Sequence, residues 1–176
     1  MNWQPTLIGP TLRLRPLVEE DFDALYPVAS DPLIWEQHPD RERYTLEGFR
    51  VYFRSGIDSK GALLVFDLQT GKVIGSSRFT KYNSKTSSLE IGYTFLTREY
   101  WGGERNRELK TLMLNHAFQF VETVYFVVGK TNFRSQQAML KIGGVIVSDV
   151  STVPLSGDLS SKVVFKIEKG SWPGLL

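Results

Sequence analysis

The sequence predicts a mixed α/β fold in which a mostly antiparallel sheet of about six or seven strands is flanked by helices. Three observations predict it. The run Thr11-Leu12-Arg13-Leu14-Arg15-Pro16-Leu17 alternates apolar and basic residues, the period of a half-buried strand. Three strand-like runs then follow one another between Ala62 and Leu96 with short turns between them, the pattern of an antiparallel meander. Beyond Gly102-Gly103 the period becomes that of a helix, and the remaining chain alternates helix and strand.

The elements follow in order from local chemistry. After the first strand, Glu19, Glu20 and Asp21 open a helical stretch through Leu25, because acidic side chains favour the positive end of a helix. Asp31 ahead of Pro32 predicts a cap and a first helical position for a short helix with Leu33, Ile34 and Trp35. Thr45 is expected to cap a further helical piece carrying Phe49, Val51, Tyr52 and Phe53, against the low helix propensity of Gly48. Residues 62–66 and 73–79 pair as a hairpin around Thr70-Gly71-Lys72, and a turn at Asn83-Ser84 leads into a strand over residues 88–96. The next helix places Leu109, Leu112, Met113, Ala117 and Phe120 on one face. Residues 124–128 read as a buried strand, Asn132 begins a helix that stops at Gly143-Gly144, and strands over 145–150 and 162–167 flank a polar loop from Ser151 to Ser161.

Composition narrows the function. A chain of 176 residues without a linker-like shift in composition is expected to be one domain, residues 1–176. No apolar run approaches the roughly 20 residues that span a bilayer, and Met1-Asn2-Trp3-Gln4-Pro5 lacks an export signal. A soluble, cytoplasmic protein with no membrane partner is therefore expected. The chain has no Cys and only His38 and His116, so metal-ligand spacing is missing and no metal is expected. His116 falls on the apolar side of its helix and reads as structural. A net charge of +2, with basic and acidic residues interleaved, gives little support for direct nucleic-acid binding. Neither a phosphate-binding P-loop nor a Gly-x-Ser-x-Gly elbow occurs.

A strand that runs through glycines into a helix exposes several backbone N–H groups in one place, and such a place attracts anions. Gly102 and Gly103 allow close approach, Asn106 can cap the helix or bond a ligand, and Arg98, Arg105, Arg107 and Lys110 cluster around the same turn. The spacing alone serves equally for an anion site or for a plain glycine turn with solvated arginines.

The ordered set Leu12-Arg13-Leu14-Arg15-Pro16-Leu17, Glu90-Ile91-Gly92-Tyr93, Tyr100-Trp101-Gly102, Asn106-Arg107-Glu108, Asn132-Phe133-Arg134-Ser135 and Gly143-Gly144 resembles the GNAT-type N-acetyltransferases. It is most similar to their branch that acetylates ribosomal-protein N-termini. The resemblance covers nearly the whole chain. It implies a sheet splayed between its fourth and fifth strands, with acetyl-CoA as acetyl donor. It further implies that Ile91, Gly92, Tyr93, Phe95 and Leu96 line the pantetheine arm, that residues 102–107 hold the pyrophosphate, and that a backbone N–H between Tyr93 and Phe95 receives the oxyanion. The sequence departs from the family pattern where Glu99 stands in place of a cation or amide and Glu104 in place of a small residue. If both point outward the cost is slight; if either points inward, affinity drops.

Acetyl transfer to an amine needs a neutral nucleophile and a proton for the departing thiolate. Glu90, on the strand that would flank the thioester, is either a base or a solvent-facing strand glutamate paired with Lys or Arg. Asn132 and Ser135 lie three apart at a helix start, so Asn132 can hold the pantetheine amide while Ser135 donates the proton; the plainer reading makes Asn132 a cap only. Many relatives carry Tyr one turn later, where Met139 stands here. Trp35, Glu36 and His38 are the expected acceptor residues, an aromatic beside an acid being suited to a cationic amine, unless Trp35 is simply core. The acceptor is expected to be a protein or peptide N-terminus, then a small amine. A non-catalytic acyl-CoA-binding domain is the alternative, and the chain is expected to be a monomer or homodimer.

Overall fold

The computed structural model describes residues 2–174. Its strands are β1 (Leu7–Ile8), β2 (Leu12–Pro16), β3 (Ala62–Asp67), β4 (Val73–Asn83), β5 (Ser88–Leu96), β6 (Thr123–Gly129), β7 (Val145–Ile146) and β8 (Lys162–Glu168). The helices are α1 (Phe22–Ala29), α2 (Pro32–Trp35), α3 (Leu46–Ser59), α4 (Glu104–Ala117) and α5 (Phe133–Lys141), with short 3-10 turns between some of them. The strands form one sheet of eight in the order β1-β2-β3-β4-β5-β6-β8-β7. Every neighbouring pair is antiparallel except β5 and β6.

Strand alternation sends residues to two faces. Leu12, Leu14, Leu63, Val65, Leu89 and Ile91 pack under α4 and α5, against Leu109, Met113, Leu114, Ala117 and Met139. Ala62, Leu64 and Phe95 face the other way, under α1 to α3, against Leu25, Trp35, Phe49, Tyr52 and Phe53. Farther along that second face, Val153 and Leu155 of the long loop cover Val164 and the side chains of Tyr125 and Val127.

Local capping chemistry is realised as expected at three helix starts. Asp31 accepts the Leu33 N–H at 3.0 Å, Thr45 Oγ1 accepts the Gly48 N–H at 3.0 Å, and Asn132 Oδ1 accepts the Ser135 N–H at 3.1 Å. Gly48 does not weaken α3: a Cβ there would lie 2.1 Å from the Glu42 carbonyl oxygen, so the preceding turn requires glycine.

Other expectations need correction. The sheet has eight strands, one more than the upper expectation, because Leu7–Ile8 adds a short edge strand to β2. Glu19, Glu20 and Asp21 form a 3-10 turn, and the α-helix runs from Phe22 to Ala29; Asp21 is held by Arg15 through bonds of 2.6 and 2.7 Å. The strand begun at Val145 ends at Ile146, since Asp149 caps a 3-10 turn through the Ser151 N–H at 3.0 Å. Helix α4 ends at Ala117, which leaves Phe120 exposed. His116 is structural as read: its Nε2 meets the Asn2 carbonyl at 2.8 Å.

The fold is tied across its first face by Glu108. This buried α4 carboxylate accepts the N–H groups of Thr11 and Leu12 at 2.8 and 2.9 Å and the Thr11 hydroxyl. Glu108→Ala would strand those donors, and the expected loss of stability is about 2 to 3 kcal/mol by urea denaturation. A loss within error of zero would show that water replaces the carboxylate.

Candidate active site

The site begins with the pairing of β5 and β6. The two parallel strands pair only where Ser88, Leu89 and Glu90 meet Thr123, Val124 and Tyr125. Beyond that point β6 stays paired to β8 along its whole length, while β5 is diverted by a bulge. Ser76 pairs with Phe95 and Arg78 with Gly92, so β5 carries one extra residue there. Tyr93 takes it up with φ of 54°, a strained left-handed conformation for a bulky side chain. The Tyr52 hydroxyl holds the bulge by donating to the Tyr93 carbonyl at 2.7 Å, and the Arg78 guanidinium lies 4.0 Å from the Tyr93 ring centroid.

The parted strands open a cavity of about 600 Å³ that passes through the sheet from α4 to α2. Its α4 end is the glycine turn. Gly102 has φ of 70°, which favours glycine, and Gly103 occupies the cap position of α4 without a side-chain capping bond. The first-turn N–H groups of α4 therefore have no side-chain cap beside an open cavity, and they are anion-seeking. The turn is braced from beneath: the Tyr100 hydroxyl donates to buried Asp67 at 2.8 Å, and the Trp101 indole donates to the Leu96 carbonyl at 3.0 Å.

Most of the sequence-predicted site residues line this one cavity. Ile91, Gly92, Tyr93, Phe95 and Leu96 form its β5 wall, Gly102, Gly103, Asn106 and Arg107 its α4 end, Asn132 and Ser135 its α5 wall, and Trp35 and His38 its far end. Trp35 is also core, almost wholly buried, with its indole N–H donated to the Ala29 carbonyl at 2.7 Å. The Asn132 side-chain oxygen accepts one bond in its cap, which leaves its NH₂ and the oxygen's second lone pair for a ligand.

Four of the expected residues lie elsewhere. Arg98 is drawn aside by an ion pair with Asp31. Arg105 turns beneath the glycine turn, stacking on Tyr100 at 5.7 Å with Asp67 at 3.9 Å, because the buried carboxylate competes for its charge. Glu36 is exposed and sits 3.6 Å from Arg134. Glu90 is buried on the second face and does not reach the cavity wall; Lys81 Nζ stands 3.1 Å from its Oε2. That contact is an ion pair without good hydrogen-bond alignment, since Oε2 has no aligned donor. Burial pushes the Glu90 carboxyl above its ordinary pKa, against the pull of Lys81 and Arg78. Of the two acids that break the family pattern, Glu99 lies outside the cavity, whereas Glu104 is on its rim.

Arg43 and Arg134 line the cavity without having been expected in the site, and a third residue, Lys110, lines it in a different setting from the one expected. Arg43 lines the far end, over the rings of Tyr52 at 5.1 Å and Trp35 at 5.6 Å; nothing in Arg41-Glu42-Arg43-Tyr44 signals this. Arg134 stacks on Trp101 at 3.8 Å and donates to the Ile34 carbonyl at 2.9 Å, tying α5 to α2 across the mouth. Lys110, read as one of the cations at the turn, is buried and donates to Thr94 Oγ1 at 2.6 Å, with no carboxylate partner. Its spacing to Met113, Leu114 and Ala117 was the available signal, since it falls on the buried stripe of α4.

Burial pushes the Lys110 amine down from 10.5 to about 7. The folded value lies below the unfolded one, so between about 7 and 10.5 the unfolded chain binds more protons and stability rises with pH. Lys110→Met should therefore be most stabilising, relative to the native chain, at pH 6.5 to 7 in urea titrations, with the difference shrinking toward pH 10. A constant difference over that range would mean the amine is not desolvated. At the rim, Glu104→Gln removes a negative charge beside the α4 N-terminus and should tighten CoA binding about 3-fold by calorimetry; weaker binding would assign the carboxylate a positive role.

The sequence profile of the acetyltransferase (GNAT) domain matches residues 11–145. Among solved structures, a GCN5-related N-acetyltransferase from Brucella melitensis is similar at 17% identity with a TM-score of 0.81, over 97% of this chain and 81% of that one. A candidate ribosomal-protein-serine acetyltransferase from Vibrio cholerae is similar at 15% identity with a TM-score of 0.74, over 96% and 99% of the two chains. A spermidine N-acetyltransferase from Vibrio cholerae, in complex with CoA and spermine, is similar at 17% identity with a TM-score of 0.69, over 92% and 98%.

Proposed function

The chain belongs to the acetyltransferase (GNAT) family, and on that premise we propose that residues 1–176, as a single domain, transfer acetyl from acetyl-CoA directly to a primary amine, with a protein or peptide N-terminus as acceptor. The observation that carries this reading is the parting of β5 and β6, with an uncapped helix end at one end of the gap and a strained bulge at its waist. When bound, acetyl-CoA supplies the activated acetyl group.

The residues divide the remaining tasks. The amides at the start of α4, with Arg107, hold the pyrophosphate. The bulge takes backbone N–H groups near Tyr93 out of the strand ladder and aims them at the oxyanion. Ser135 on the cavity wall donates the proton to the departing thiolate. Glu90, one strand position behind the wall and paired with Lys81, acts through water rather than by direct contact. A strong base is not required for an N-terminal acceptor: with a reference pKa near 8, about a tenth of an α-amino group is already neutral at pH 7. That supports an N-terminus over a lysine side chain, and the cytoplasm, where free N-termini meet acetyl-CoA, is the proposed setting.

Ser135→Ala should lower kcat about 10-fold or more with little change in CoA affinity, and Glu90→Gln should lower turnover mainly at low pH. The measurement is steady-state acetylation of an amine panel beside calorimetry with acetyl-CoA. Native rates in both variants would reject these roles, and binding of acetyl-CoA without any turnover would favour a non-catalytic acyl-CoA-binding domain.

A further inference from the structure

The far end of the cavity, opposite α4, is where an acceptor amine would enter if the chain is an acetyltransferase, and its polar lining is rich in donors and holds no carboxylate. Trp35, His38, Arg43, Tyr93 and Gly129 surround it. Glu104 is the one carboxylate among the cavity-lining residues, and it stands at the other end, at the start of α4. Glu36 is held outside by Arg134, and Glu90 lies behind the wall against Lys81. Asp40 takes one side of Arg43, accepting from its Nη2 at 2.5 Å, while Nη1 faces His38. A second guanidinium, Arg78, is buried beneath Tyr93. It is bonded only to neutral oxygens of Tyr52 and Ser55.

His38 adds a donor rather than a base. Its Nδ1 accepts the Asp40 N–H at 2.9 Å, so in the neutral ring the proton sits on Nε2. Burial and the neighbouring Arg43 push the imidazole down to about 4, which keeps it neutral at physiological pH. Nε2 lies 3.3 Å from an Arg43 Nη1, and with N–H groups on both atoms this contact is not a hydrogen bond. Two donors converging without an acceptor between them form a place for an anionic oxygen.

We propose that the acceptor carries a carboxylate a few atoms from its amine, received by the Arg43 guanidinium and the His38 Nε2–H. The site would thus select an amine with an adjacent acid and disfavour polyamines, the opposite of a Trp-Glu pocket for a cationic chain. This deepens the acetyltransferase reading and rests on it. A carboxylate near an amine occurs in a free amino acid or in the acidic side chain of a peptide N-terminus, and the test separates the two.

The full chain would be assayed with acetyl-CoA against leucine and leucinamide, against seryl-glutamyl and seryl-glutaminyl peptides with amidated ends, and against spermidine. In at least one pair the carboxylate member should exceed its amide partner about 30-fold in kcat/KM, with spermidine poorer than that member; which pair responds identifies the source. Arg43→Gln should reduce this ratio to within about 3-fold of unity and Arg43→Lys should retain part of it, with CoA affinity reporting that each variant is folded. Equal rates within both pairs, or spermidine as the best acceptor, would overturn the proposal and leave acetyl transfer standing. Turnover of none of these amines would sink both. The native panel decides even where a variant fails to fold.

Discussion

A parallel pair of strands that holds together at one end and is pulled apart at the other organises this molecule. Strand β6 is committed to β8 by continuous antiparallel pairing, and β5 is committed to β4 except at the bulge at Tyr93 and at a second register shift between Thr80 and Asn83. The two therefore share hydrogen bonds only between residues 88–90 and 123–125. A gap in the middle of a sheet leaves backbone groups without partners, which is costly in a buried setting. The packing around it keeps it open: Tyr52 and Arg78 hold the bulge from the α3 side, and Arg134 on Trp101 sets the distance between α5 and α2. The cavity is a consequence of strand pairing, and the loops decorate it.

Charge is distributed around that gap in a way stability alone would not favour. Lys110 and Arg78 are buried cations without a bonded carboxylate, and each carries a desolvation cost. Buried acids elsewhere in the fold are fully employed: Glu108 receives three donors, and Asp21 receives a two-pronged Arg15. Cations without a bonded carboxylate thus stand in the cleft wall, as Lys110 does, or behind it, as Arg78 does with Glu90 acting on it through space, and are absent from these two ties between the sheet and its helices. Such local departures from optimal packing are expected where a protein binds or reacts.

Legibility in the sequence followed the range of the interaction. Asp31, Thr45 and Asn132 were readable as caps because a cap reaches only two or three residues along the chain. The glycine turn was readable for the same reason, and so was the alternation that puts Leu12 and Leu14 beneath α4; Asn106 does not cap the helix as the sequence allowed, because the helix begins at Glu104 with Gly103 at the cap. Arg98 and Arg105 lie outside the cavity where they were expected because clustering along the chain says nothing of a carboxylate 67 residues away, as for Arg98 and Asp31, or on another strand, as for Arg105 and Asp67. Glu36 lies outside the cavity for the same reason, its charge facing Arg134.

By itself the sequence determined the order of all but the edge strand β1 and the position of the glycine turn, which rest on period, capping and glycine geometry within a few residues, while the family came from the resemblance of ordered motifs along nearly the whole chain. It allowed Glu90 as a paired strand residue, but facing solvent, where the fold buries it beside Lys81. The tertiary structure alone decided which cations face the cleft. Arg105 was turned away, Lys110 was brought into the cleft wall, and Arg43 was carried to the far end, because a side chain's direction is set by what lies across the fold. The physical reason is that hydrogen-bond and ion-pair partners compete in three dimensions, and only the folded chain settles which partner wins.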